Sequence, residues 1–230
     1  MKKYTIILAS VISMPFANGA LYTLSNGSGS TAAGIQTTTG AVFRSGTTAG
    51  TTLGTGVQNI QTSAGPGIVA FGFFSTDDFS TTSTAASLVS LFTQFGASDT
   101  YGAVSTGGNR SVFSRAATQT IGSTFNTKNI YLFSGNGSSF ANSTEFLVAK
   151  MDSTFFAVAD DVTNASTPKS LVINPGNSTV LLGSEISNVY TTNTDASTTS
   201  GWQMAALVPE PSSALLGAIG ALILLRRRRI

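Results

Sequence analysis

Hydrophobic positions divide the chain into three unequal stretches. Tyr4 to Phe16 is predominantly apolar, Ser212 to Leu225 (SSALLGAIGALILL) is apolar on every side, and between them apolar residues come in short groups separated by Gly, Ser, Thr and Asn. Alternation of apolar and polar positions is the signature of strands with one face buried. TGAVFRSG (39–46) and TGVQNIQTS (55–63) alternate in this way, so the Gly/Ser/Thr-rich region from Leu21 to Gly67 reads as short strands and turns rather than as linker. Ile68 to Phe74 (IVAFGFF) is continuously apolar and predicts a core strand, with Gly72 marking a bulge.

Residues 83 to 96 break the pattern. Leu88, Leu91, Phe92 and Phe95 recur at helical spacing, Ser83 or Thr84 stands where an N-cap belongs, and Gly96 stands where a C′ glycine belongs. One amphipathic helix is therefore expected there. Beyond Gly107-Gly108, strand signals follow at short intervals: Arg110 to Arg115, Asn129 to Phe133, Glu145 to Lys150, Thr154 to Ala159, Leu171 to Asn174, Thr179 to Leu182 and Gln203 to Val208. Turn residues separate them at Gly135-Asn136-Gly137, Thr167-Pro168 and Asn174-Pro175-Gly176-Asn177. The expected fold is mainly β: a β-sandwich or jelly-roll-like body with one short amphipathic helix, plus a single C-terminal membrane helix.

Composition narrows the chemistry. Only 10% of residues are charged, and Cys and His are absent. Without them the chain has no thiolate nucleophile, no Ser-His-Asp triad and no Cys- or His-based metal site, and no cofactor or metal is expected. The formal net charge is +2, but Lys2, Lys3 and Arg226 to Arg229 lie in the terminal stretches. The body between carries six cations and nine anions, a net charge of −3. A nucleic-acid partner, which requires a basic face, is not expected.

Two acidic pairs remain, Asp77-Asp78 and Asp160-Asp161. Paired carboxylates could bind Ca²⁺ or act as the acid and base of a glycan-active enzyme, but neither pair has EF-hand spacing, and Asp77-Asp78 reads as a solvated loop before the helix. No catalytic residue is assigned, and the protein is expected not to be an enzyme. The alternative for the body is a carbohydrate-binding module for exopolysaccharide. Its stacking platforms would be drawn from Trp202, Tyr4, Tyr22, Tyr101, Tyr131 and Tyr190.

The two ends are the most specific part of the sequence. Met1-Lys2-Lys3 followed by the apolar run to Phe16 has the form of a signal peptide, residues 1–19, and Ala17 and Gly19 supply the small residues at −3 and −1 of a cut before Ala20. Signal peptidase is thus an expected partner. At the other end the 14 residues Ser212 to Leu225 span about 21 Å as a helix, short for a hydrocarbon core of about 30 Å. Arg226, Arg227, Arg228 and Arg229 then stop and orient the segment with the basic tail in the cytoplasm, which leaves the body, residues 20–207, outside the inner membrane. Between body and helix lies Val208-Pro209-Glu210-Pro211. The prolines hold this link extended, with Glu210 as an isolated anionic handle.

This arrangement of Pro209, Glu210 and Pro211, a short apolar helix (212–225) and a basic tail (226–230) resembles the PEP-CTERM sorting signal, here residues 208–230. The resemblance implies an exosortase-type membrane enzyme as partner, transient anchoring in the inner membrane, and delivery to the cell surface or an exopolysaccharide-rich extracellular matrix. It implies nothing about the activity of the body. The chain as a whole reads as an exported, non-enzymatic surface or matrix protein.

Overall fold

The computed structural model describes residues 19–27, 32–44, 48–53, 61–79, 84–101, 111–164, 166–189 and 199–207. The protein is mainly β, with the described strands in three sheets. In the first, β1 (Ala20–Ser25) lies between β12 (Lys169–Val172), parallel to it, and β9 (Ser114–Gln119), antiparallel. The second runs in the order β13 (Ser178–Leu182), β11 (Glu145–Phe155), β10 (Asn129–Gly135), β6 (Ile68–Phe74) and β7 (Phe92–Gln94). Two short strands extend it, β16 (Ala205–Ala206) beside β11 and β8 (Asp99–Thr100) beside β6. The third runs β14 (Ser184–Val189), β15 (Thr199–Gln203), β2 (Ile35–Gln36), β3 (Val42–Phe43), β5 (Gln61–Gly65) and β4 (Thr52–Leu53).

The second sheet buries both faces, which explains why its strands read as continuous apolar runs instead of alternating ones. Val69, Phe71, Ile130, Leu132, Leu147, Ala149 and Met151 face a large core shared with Tyr22 and Leu24 of the first sheet and Ile35, Phe43 and Trp202 of the third. Phe74, Tyr131, Phe133, Phe146 and Val148 face a second, smaller core. That face is covered by Leu88 of helix α1 (Ala85–Ser90), by Phe140 of the 3-10 turn Phe140–Asn142, and by Leu207. The Phe133 and Phe140 rings stack at 4.0 Å.

The helix expected over residues 83–96 is shorter in the structure. Thr84 caps α1 in a capping box with Ser87, but the helix ends at Ser90 and Phe92 to Gln94 form strand β7 on the edge of β6. Pairing with Phe74, Phe73 and Gly72 supplies sheet hydrogen bonds that a continued helix would forgo, and Phe92 is a good strand former. The switch also sends Phe95 into the large core while Leu88 stays in the small one. Gly96 does adopt a left-handed φ of 68°, but after a strand.

Gly72 is not a bulge either, because its pairing with Tyr131 and Gln94 is in register. It is a point of close approach: a Cβ there would sit 2.1 Å from the Thr93 carbonyl oxygen. The segments expected separately at Glu145 to Lys150 and Thr154 to Ala159 merge into the 11-residue β11, and the chain after Phe155 turns into helix α3 (Asp160–Thr163). Among the described residues no helix is long and apolar enough to cross a membrane. The membrane helix expected at 212–225 lies outside the described residues.

Candidate functional site

The acidic pairs are the natural starting point, Asp160-Asp161 buried and Asp77-Asp78 exposed. Asp160 and Asp161 form the first turn of α3, which packs against β1, and both are buried. Asp160 Oδ2 accepts from the Tyr22 hydroxyl and from Lys169 Nζ at 2.8 Å, and its Oδ1 accepts from Asn164 Nδ2 at 2.9 Å. Lys169 Nζ also lies over the Tyr22 ring, 5.5 Å from its centroid. Burial by itself raises the Asp160 pKa, but the hydrogen bonds from Lys169, Tyr22 and Asn164 outweigh it and hold the carboxyl below its ordinary range. The Tyr22 hydroxyl is pushed well above the usual phenol range by burial and by the Asp160 hydrogen bond.

Asp161 points the other way. Its Oδ1 accepts from the main-chain N–H of Ala20 at 3.2 Å and of Ile121 at 2.9 Å, and its Oδ2 from that of Gly122 at 3.3 Å. One carboxylate thus joins the start of β1 to the start of helix α2 (Gly122–Phe125). Leu21 N–H donates to the Asn164 carbonyl at 3.0 Å, so α3 clasps the first two residues of β1 in succession.

Asp77 repeats the first motif on the other side of the second sheet. The Tyr131 hydroxyl and Lys150 Nζ each donate to it at 2.5 Å. Burial again raises its pKa, and the Lys150 and Tyr131 hydrogen bonds outweigh that and lower it. Both residues of this pair are exposed in a loop, as the solvated-loop reading expects, and Asp77 in addition links that loop after β6 to β10 and β11. Asp78 N–H closes a local turn on Thr76 Oγ1 at 3.0 Å.

A glycosidase acid needs a carboxyl whose pKa is raised so that it holds a proton near neutral pH. Asp77 and Asp160 are shifted in the opposite direction, and each is committed to a tyrosine and a lysine. These carboxylates are chemically suited to stapling strands. Among the described residues no three acidic side chains gather where a cation could be held.

The aromatic residues tell a similar story. Trp202, Tyr22, Tyr101 and Tyr131 are all buried. Tyr22 closes a cluster with Phe95 and Phe156, at 5.4 and 5.5 Å between ring centroids, while Tyr101 stacks on Phe43 and donates to Ser134 Oγ at 2.5 Å. The planes proposed for sugar stacking are therefore internal, and Tyr4 and Tyr190 lie outside the described residues. Among the described aromatics Phe155 is the exposed one, at 51%.

Of the sorting residues, Gly19 and Ala20 are described. Ala17, Pro209, Glu210, Pro211 and Arg226 to Arg229 lie outside the described residues. Ala20 is fully buried, and a Cβ on Gly19 would meet the Gln119 carbonyl carbon at 2.7 Å. The sequence reading missed Tyr22, Tyr131, Lys150, Lys169 and Asn164 as carboxylate partners. Only Asn164, four residues after Asp160, carried a local signal, since that spacing places both on one helical turn. Comparison with protein-family profiles, with curated proteins and with solved structures found no match.

Proposed function

We propose that the chain is an exported, non-enzymatic surface or matrix protein whose body is a sandwich-like β scaffold carried between two sorting signals. The observation that carries this reading is the fit of those signals to the folded body. The first described strand begins at Ala20, the first residue after the expected signal-peptide cut, and the last described strand ends at Ala206, two residues before Val208-Pro209-Glu210-Pro211. The boundaries expected for the two signals thus cut through none of the described strands, which supports the reading. The commitment of Asp77, Asp160 and Asp161 to strand stapling supports a scaffold role for the body.

In this reading an exosortase-type enzyme recognises Pro209-Glu210-Pro211 at the outer face of the inner membrane, while the basic tail holds the segment in orientation. The test is Glu210→Gln in a host that carries such an enzyme. Signal-peptide removal and membrane insertion do not use that carboxylate and should be unchanged. The substituted protein should accumulate in the membrane fraction with its tail intact, because losing one partner of a desolvated charge pair typically costs about 2–5 kcal/mol, at least tens-fold in recognition. Normal release of the Glu210→Gln protein would reject the sorting role.

A further inference from the structure

Asp161 is a buried carboxylate held by three main-chain N–H groups, and among the described residues no lysine or arginine forms an ion pair with it. One of those donors is the nitrogen of Ala20, the atom that signal-peptide removal would set free. We propose that Asp161 is the receptor for the mature N-terminus: the α-ammonium of Ala20, created by processing, forms a buried ion pair with the Asp161 carboxylate and locks β1 into its sheet. This inference rests on the export reading above, specifically on a cut between Gly19 and Ala20.

The chemistry is a hydrolysis. One water adds across the Gly19–Ala20 amide, the Gly19 carbonyl carbon keeps the hydroxyl oxygen and leaves as a carboxylate, and Ala20 N takes up both protons as an ammonium. A neutral donor 3.2 Å from Asp161 Oδ1 thereby becomes a cation at the same place. The neighbouring charges are already balanced. Asp160 on α3 is paired with Lys169 on β12, Tyr22 on β1 is a neutral phenol bonded to Asp160, and β9 presents the uncharged Gln119 opposite Ala20. The ammonium thus meets one uncompensated carboxylate.

The geometry also sets an order of events. Ala20 has no exposed surface, and Gly19 runs against the backbone of Gln119 and Thr120. Seating β1 takes Ala20 out of reach while Gly19 stays partly exposed, and a strand already paired cannot also lie extended in a protease's cleft, so cleavage comes first and docking of the new terminus follows.

The ordinary α-amino pKa is about 7.7–8.0, and an opposite charge in contact with the amine raises it. Because the folded-state value is the higher one, the stabilisation is fully present below about pH 8 and is lost as pH rises through the folded value.

The test uses the exported protein purified from its host. Mass spectrometry first identifies the N-terminal peptide, and a terminus other than Ala20 would overturn the processing reading and this inference with it. Acetic anhydride labelling of the α-amine is then followed against pH for the wild type, the wild type in denaturant, and Asp161→Asn, which keeps the side-chain shape and removes the charge. The folded wild type should label more slowly than in denaturant at every pH because Ala20 is buried, so the midpoint of the pH profile is the deciding readout. Its labelling profile should have its midpoint above pH 8, and in folded Asp161→Asn that midpoint should fall back. If Asp161→Asn fails to fold, the wild-type midpoint alone decides. A terminus at Ala20 whose amine titrates at or below the ordinary value would overturn the ion pair and leave the processing reading standing.

Discussion

Tyr22 contributes in two ways. Its ring packs edge-on against Phe95 and Phe156, and its hydroxyl joins Lys169 and Asn164 on Asp160, so one side chain holds β1, β12 and α3 together. Tyr22→Phe keeps the ring and removes only the donor. It should lower unfolding stability by about 1.5–3 kcal/mol, the usual worth of a hydrogen bond to a charged group, as read from denaturant midpoints. Acid should act on the same carboxylates. Asp160 and Asp77 have folded-state pKa values below the unfolded reference of about 3.9, so their contribution is complete above pH 4 and is lost as pH falls through the folded values. Thermal unfolding followed from pH 5 to pH 3 should show that loss, and Asp160→Asn should flatten the slope. The sequence exposed these aspartates as pairs but not their partners, since Lys150 and Lys169 come from strands that only the tertiary fold brings near.

At the scale of elements, the sequence was most readable where one period ruled. IVAFGFF is strand β6 with the expected bounds, and Thr84 caps α1 as its position suggests. It misled at Phe92, where apolar residues spaced for a helix serve equally well in a strand whose neighbours are already in place. The local pattern cannot register that Gly72 leaves room for β7. Gly72→Ala should therefore cost more than helix or strand propensity implies. Its Cβ would press on the Thr93 carbonyl, a backbone atom that cannot rotate away, and overpacking of this kind costs roughly 1–3 kcal/mol. Hydrogen exchange should then rise at Phe92 to Gln94, along the β6–β7 ladder, before it rises in the β10–β11 pair.

The whole molecule is held together by apolar layers on both faces of one sheet and by carboxylate staples at its margins, with no thiol or imidazole in the chain. Circular dichroism of the purified protein should accordingly be β-dominated and unchanged by a chelator, and a loss of structure on metal removal would contradict this account. A mainly β body was legible from the turn spacing. The three-sheet arrangement was not, because β1 pairs with strands about one hundred and about one hundred and fifty residues away, and no local pattern encodes such partners. That pairing has a consequence in time. If the chain is exported from its N-terminal end, as proposed, β1 emerges first, β9 follows after about half of the body and β12 after about four fifths of it. Folds dominated by such distant pairings form in roughly milliseconds to seconds even when every residue is present. On the export route proposed above, the first strand would wait unpaired until its partners arrive, a delay that would leave the Gly19–Ala20 bond open to hydrolysis before the first sheet closes.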